Sequence, residues 1–318
     1  MLVRAVAKTT KKPGNKKGFW QKCVQQKTLI FMSIPMVLLK ILFAYVPLVG
    51  WVMAFQNYKP ARGLFDQEWA GFDKFQFLFS DAVFLRDIRN TLAMSLINLV
   101  LGFVTAILLA LLLNEIKNMA FKRTIQTISY MPHFLSWVIV AGIVQNVLST
   151  DSGIVNDLLL KLGIIDSSVN FLGEPNYFWG IVGASNVWKE VGWNTIIYLA
   201  SMSAIDPALY EAAEMDGAGR FNKILHVTLP AIKGTFVILL IMNIGNILNA
   251  GFEVQYLLGN GPIQDVSETI DIFVLKYGMQ KNDYALGTAA GIFKSVISVV
   301  LVFGANWISG KLGEDKLV

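Results

Sequence analysis

Residues 206–230 read Asp206-Pro207-Ala208-Leu209-Tyr210-Glu211-Ala212-Ala213-Glu214-Met215-Asp216-Gly217-Ala218-Gly219-Arg220-Phe221-Asn222-Lys223-Ile224-Leu225-His226-Val227-Thr228-Leu229-Pro230. Asp206 suits a helix N-cap and Pro207 the first helical position. Ala208, Leu209, Ala212, Ala213 and Met215 make a short, smooth face that another surface can approach closely, while Glu211, Glu214 and Asp216 offer charge to a basic partner. Gly217 and Gly219 can take positive φ and stop the helix. A second helical stretch follows, with Phe221, Ile224, Leu225 and Thr228 at helical spacing. The expected product is a helix–glycine–helix device, and its flanks say where it sits. Long apolar segments, about 177–204 and 229–258, enclose it, so it lies at a membrane surface.

The rest of the chain agrees with that setting. Of 318 residues, 54% are hydrophobic and 15% charged, against about 25% charged in an average soluble domain. Mean hydropathy is +0.53. Helices that are apolar all round must be buried or lie in lipid. Further apolar segments at about 28–55, 90–114, 125–149 and 283–309 bring the expected number of spans to six, in an all-α integral membrane protein. Pro35, Pro47 and Pro132 fall in or near these spans, where neighbouring helices can re-satisfy the freed backbone groups. The transmembrane domain is expected over 28–309, with a loop 205–228 on one side and short tails, 1–27 and 310–318.

Charge sets the orientation. With the N-terminus inside, the inner segments 1–27, 115–124, 205–228 and 310–318 hold 15 Lys and Arg, and the outer segments 56–88, 150–176 and 259–282 hold 7. Both termini are therefore expected in the cytoplasm. The eight Lys and Arg of residues 1–27 read as a topology signal touching anionic lipid, not as a nucleic-acid arm. A cleaved leader is not expected, because the apolar run after the tail is too long for a signal core. Among the outer segments, 56–88 carries Phe65, Trp69, Phe72, Phe75, Phe77 and Phe79, enough for a small aromatic cap, and 153–162 has the spacing of a short interfacial helix.

Chemistry within the chain is excluded on simple grounds. Cys23 is the only cysteine and His133 and His226 the only histidines, and there is no GxxxxGK[ST] phosphate loop. No catalytic residue and no metal site is expected, since neither histidine has the carboxylate or metal-ligand setting that a membrane transferase needs. Polar residues inside the spans remain to be explained, because they are costly in lipid and usually face a cavity or a partner. Asn243, Asn246, Asn249 and Glu253, if helical throughout, share roughly a 120° sector of span five. Asn186, Lys189, Glu190 and Trp193 share a comparable sector of span four, with Asn194 at its edge. Amides and aromatic faces suit sugars; interhelical hydrogen bonding and a Lys189–Glu190 ion pair are the alternative. Lys294, in the last span, is expected either to pair across a subunit interface or to touch an acidic sugar. His133 reads as an interface residue.

The string Glu211-Ala212-Ala213-x-x-x-Gly217, followed by Leu229-Pro230, resembles the EAA loop of permease subunits of binding-protein-dependent ABC importers. Residues 206–230 are similar to the sugar-importer version. Tyr45-Val46-Pro47, Ala54-Phe55-Gln56-Asn57-Tyr58, Gly71-Phe72-x-x-Phe75 and Asn90-Thr91-Leu92 resemble permeases, of the maltose-transporter type, that import polysaccharide fragments and oligosaccharides. The resemblance runs from about residue 40 to the C-terminus. It implies the type I importer permease fold in a bacterial cytoplasmic membrane. It also implies a second homologous permease subunit, two cytoplasmic ATPase subunits that bind ATP and Mg, an extracellular substrate-binding protein, and a carbohydrate cargo. On the same grounds Glu211, Ala212, Ala213, Asp216 and Gly217 are expected to couple the ATPases. The shared helical sectors, not the resemblance, make Asn243, Asn246, Asn249, Glu253, Asn186, Lys189 and Trp193 the candidates to line the substrate path.

Overall fold

The protein is described by a computed structural model covering residues 25–311; most of the two expected tails, and Cys23, lie outside that range. Its contacts divide into two units, residues 1–52 and 53–318. Helix α1 (Lys27–Lys40) runs on through a π-helical turn, Ile41–Tyr45, into a 3₁₀ stretch, Val46–Phe55, the last three residues of which are counted with the second unit. Residues 27–55 form an apolar helix of 29 residues with mean hydropathy 2.3, long enough to span a bilayer.

The second unit is built from α2 (Asp73–Ser80), α3 (Ala82–Glu115), α4 (Met119–Tyr130), α5 (Trp137–Val147), α6 (Ile154–Lys161), α7 (Pro175–Ser203), α8 (Pro207–Met215), α9 (Lys233–Gly245), α10 (Phe252–Leu258) and α11 (Tyr284–Lys311), with short helical turns between them. Caps set several starts: Asp81 accepts from the Val83 amide at 3.0 Å, and Asn118 from the amides of Ala120 and Phe121 at 3.0 and 3.1 Å. The long helices α3 and α7 pack along each other, and α11 packs on α9 and on the turn 274–280. Close approach is built in at Gly192 of α7, where a Cβ would overlap the Ser129 carbonyl of α4. On α3, Leu96, Val100, Val104, Leu108 and Leu112 form an exposed apolar stripe at i, i+4 spacing. Such a stripe suits lipid or a neighbouring subunit.

Six uninterrupted spans are not what the chain forms. Among the described residues three helices, 27–55, α3 and α11, are long and apolar enough to cross a membrane alone, and two bent pairs raise the number to five. The sixth expected span is α7, whose 29 residues are long enough but carry Asn186, Lys189, Glu190 and Asn194 along the middle. The segment expected as a span over 125–149 bends by 103° between Phe134 and Trp137. Leu135 and Ser136 are extended there, and Ser136 restarts the helix by capping the Ile139 amide at 3.4 Å. The segment over 229–258 is broken twice. It bends by 56° at Ile232, α9 stops at Gly245, and Gly251, at φ +88°, precedes the short α10. The helical sector proposed for Asn243, Asn246, Asn249 and Glu253 therefore does not exist as one face.

Residues from 56–88 and 259–283 meet at one end of the bundle. Asn90 donates to the carbonyls of Asp265 and Glu268, both at 2.9 Å, and Lys74 pairs with Asp283 at 3.2 Å. At the other end of α3, Ala106 and Ala110 pack with Met202 and Ile232, which flank the loop 205–228.

Candidate functional site

Helix α8 is fixed at both ends by its own sequence. The Asp206 side chain accepts from the Ala208 amide at 2.9 Å, with Pro207 in the first turn. At the other end the Ala218 amide donates to the Ala213 carbonyl at 2.9 Å and the Gly217 amide to the Glu214 carbonyl at 3.0 Å, with Gly217 at φ +77°. This is a Schellman end, and it requires a residue without a Cβ penalty at Gly217. A continuous helical stretch, Arg220–Ala231, follows and leads into α9.

Two side-chain bonds tie α8 to that stretch: Tyr210 Oη to Thr228 Oγ1 at 2.9 Å, and Lys223 Nζ to Glu214 Oε2 at 2.9 Å. Lys223 holds the Glu214 carboxyl below its ordinary range, first by the hydrogen bond and then by its charge. The remaining face is unoccupied. Met215 is 88% exposed, Phe221 and Leu209 are exposed, and Glu211 makes no hydrogen bond or ion pair among the described residues. Ala212 is exposed and Ala213 half-buried. Of the residues expected to couple, Glu211, Ala212, Asp216 and Gly217 thus lie on an open surface.

The polar residues of the spans fall into two groups. Asn243, Asn246 and Asn249 line a cavity of about 200 Å³ together with Ser95, Asn98, Asn194 and Tyr198. The sequence reading missed the α3 contribution of Ser95 and Asn98; single polar residues in an apolar helix give little signal without knowing what they face. Ser95 Oγ, Asn98 Oδ1 and Tyr198 Oη are buried and have no hydrogen-bond partner among the described residues. Buried polar atoms of this kind need a hydrogen-bond partner, and in a cavity that is water or a bound molecule. Asn246 and Asn249 also border an open cleft of about 560 Å³ containing Asp271 and Lys294. Glu253 lies beyond Gly251, on α10, and lines neither space.

The second group holds the bend between α4 and α5. Lys189, 5% exposed, donates to the His133 carbonyl at 2.7 Å and pairs with Glu190 at 3.2 Å. A cation at the end of a broken helix answers the free carbonyls there. The other Glu190 oxygen meets His133 Nδ1 at 2.7 Å, and His133 stacks on Trp193 with ring centroids 4.3 Å apart. Asn186 bonds back to the Val182 carbonyl at 3.0 Å. Lys189 is thus satisfied within the chain, whereas Trp193 and Glu190 keep exposed edges beside the bend.

Comparison with known proteins places this arrangement. The family described as binding-protein-dependent transport system inner membrane component matches residues 98–314. The polygalacturonan/rhamnogalacturonan transport system permease protein YteP of Bacillus subtilis (strain 168) is 43% identical, over 93% of this chain and 92% of that protein. Protein LplB of the same organism is 41% identical over 92% of each. A chain in the crystal structure of a bacterial alginate ABC transporter in complex with alginate pentasaccharide-bound periplasmic protein superposes with a TM-score of 0.86, at 39% identity, covering 94% of this chain and 99% of that one. The fold is accordingly that of an ABC-importer permease, a multi-pass membrane transport subunit. This chain belongs to the family of inner membrane components of binding-protein-dependent transport systems.

Proposed function

We propose that this chain is one of two homologous permease subunits of an importer for oligosaccharides released from an acidic polysaccharide. The observation that carries the reading is α8, a helix locked at both ends by its own caps yet presenting Glu211, Ala212 and Met215 on an open surface, with no partner for Glu211 among the described residues. Exposed apolar area beside an unpaired carboxylate costs the isolated chain and gains only from a partner. That partner is a cytoplasmic ATPase subunit, one of two, which bind ATP and Mg outside this chain. Its groove takes the alanine face closely and offers a cation to Glu211; Gly217 fixes the angle at which the helix meets it. ATP favours the closed ATPase pair, and closure pushes α8 and the spans attached to it between outward- and inward-open states.

The cargo follows from the polygalacturonan/rhamnogalacturonan and alginate systems whose permeases this chain resembles. The wall rich in Asn243, Asn246 and Asn249 supports it, since amides match sugar hydroxyls as donor and acceptor. Trp193 adds an exposed ring that stacks on His133, the partner of Glu190. An extracellular binding protein delivers the sugar to the end where 56–88 and 259–283 meet. Both termini and the loop 205–228 face the cytoplasm, a reading that the Lys and Arg distribution supports.

The test is ATPase capture and substrate-stimulated hydrolysis by the full complex in reconstituted membranes. A charged hydrogen bond at Glu211 contributes about 1.5–3 kcal/mol, so Glu211→Lys should weaken capture more than tenfold while the permease stays inserted. Wild-type capture and hydrolysis in that variant would mean that α8 is only a connector.

A further inference from the structure

The cleft beyond the asparagine wall contains one cation and one anion, and no residue of the coupling scheme uses either. Lys294 of α11 pairs with Asp271 at 2.5 Å. Both border the open cleft with Asn246, Asn249, Ser295 and Ser298. The cleft shares Asn246 and Asn249 with the smaller cavity, so a molecule held on the asparagine wall can reach the ion pair.

We propose that Lys294 and Asp271 form a reading site for a uronate residue of the transported oligosaccharide: Lys294 binds its carboxylate and Asp271 accepts from its hydroxyls. This deepens the importer reading and rests on it. An ammonium has three donors, and among the described residues Lys294 spends one of them, on one oxygen of Asp271. It can therefore take a second acceptor without leaving the first. Asp271 keeps its other oxygen free of any hydrogen bond among the described residues. The pair is not sealed off, as a purely structural ion pair in a membrane would be, because both side chains are partly exposed to the cleft.

The amides and hydroxyls around the pair are suited to the rest of the sugar. Ser295 donates back to the Gly291 carbonyl at 2.9 Å, which leaves its oxygen as an acceptor. Asn249 donates to Asn246 at 3.2 Å, which leaves the Asn249 carbonyl open to a sugar hydroxyl. A uronate carries a carboxylate on one side of its ring and vicinal hydroxyls on the other. A cation beside an anion, flanked by amides, matches that order, whereas a neutral sugar gives the cation no charged partner. When the cleft is empty Asp271 keeps Lys294 compensated, which lowers the cost of a charge at that depth.

The experiment uses the assembled importer with its binding protein in proteoliposomes, with a galacturonate trisaccharide and its methyl ester as probes. Uptake of each by a variant is expressed relative to wild type, so that selection by the binding protein cancels. Lys294→Gln should lower relative uptake of the acid at least tenfold and of the ester by less than twofold. Reversing the pair, Asp271→Lys with Lys294→Asp, should leave uptake of the acid low although the ion pair is restored. Equal loss on both sugars, no loss on either, or rescue of acid uptake by the reversed pair would each make this a structural bridge and overturn the inference. Those results leave the importer reading intact. A wild-type complex that carries only the ester overturns the acidic-cargo reading, and one that carries neither overturns the importer reading, the inference falling with it in both cases.

Discussion

The two ends of this molecule treat charge in opposite ways. At the end where 56–88 meets 259–283, Arg86 bonds with Asp87, Asp265 and Glu268, and Lys276 binds the other oxygen of Glu268. Asp87, Asn90 and Thr91 are buried, and Thr91 Oγ1 accepts from the Ile270 amide at 3.0 Å. Within this cluster every charge except Asp265 is at least half covered, and each is answered within the chain. At the end carrying α8, carboxylates stand in the open, and Glu211 has no partner among the described residues. The first end is a clasp that the chain completes alone. The second is a surface that only an assembly completes. Substitutions should therefore cost stability at one and coupling at the other, which is a difference that measurements can break.

The largest effect is expected at Arg86. Arg86→Met leaves Asp87 and most of Glu268 covered without their shared cation, and removing one partner of a buried network costs about 3 kcal/mol or more. The thermal midpoint of the purified complex should fall by several degrees, with less permease inserted, while any complex that survives captures ATPase normally. An unchanged midpoint would show that the clasp is solvated and that the contrast is false. Glu211→Lys, by the same logic, should lose ATPase capture and leave the midpoint where it is.

Gly217→Val comes next. A β-branched residue at φ +77° pays a left-handed backbone cost of about 1–2 kcal/mol, at a position where a Cβ would meet nothing within 4 Å. The strain is conformational and not steric, so the loop should re-route without unfolding the bundle. Limited proteolysis at 205–228 should accelerate, uptake should uncouple from hydrolysis, and the spans should stay protected. If hydrolysis stays coupled, the exit angle of α8 does not matter.

These expectations show what the sequence could and could not reveal. The start and stop of α8 were legible because their signals are local: a cap at Asp206, a proline at 207, a glycine at 217. Gly219, expected to share the positive-φ stop, is instead extended at φ −69°, because Gly217 alone completes the turn. The short helix α6 was legible for the same reason. The breaks in the spans were not. Hydropathy over 125–149 and 229–258 is continuous, because extended Leu135 and turn-forming Ile247 are as apolar as their helical neighbours, and the chain bends where Ser136 caps and where Gly251 turns. Periodicity assumes a helix throughout, so it grouped Glu253 with Asn243 although a turn separates them. It also could not separate Lys189 from a cavity residue, since its partner is a backbone carbonyl at His133, 56 residues away in the chain. The cavity's polar atoms on α3 and the Lys294–Asp271 pair depend on tertiary contacts of the same kind.

The smallest expected effect sharpens the comparison within one helix. Glu214 lies one turn from Glu211, is exposed, and already has Lys223 at 2.9 Å. Lys223 depresses the Glu214 carboxyl, so whatever the pair contributes is present above the ordinary glutamate range and is lost as pH falls through the lowered value. Solvent screens a pair this open, and added salt weakens it further. Glu214→Gln should therefore leave the thermal midpoint at neutral pH within error, and should leave ATPase capture unchanged as well, because Lys223 and not the partner uses that carboxylate. Glu211→Gln, an equally mild change one turn away on the same exposed helix, should weaken capture. The measurement is a side-by-side titration of ATPase onto the two permease variants at low and high salt. Equal weakening by both would mean that the partner reads the net charge of α8, and the distinction between a carboxylate the chain satisfies and one it leaves open would fail at this end.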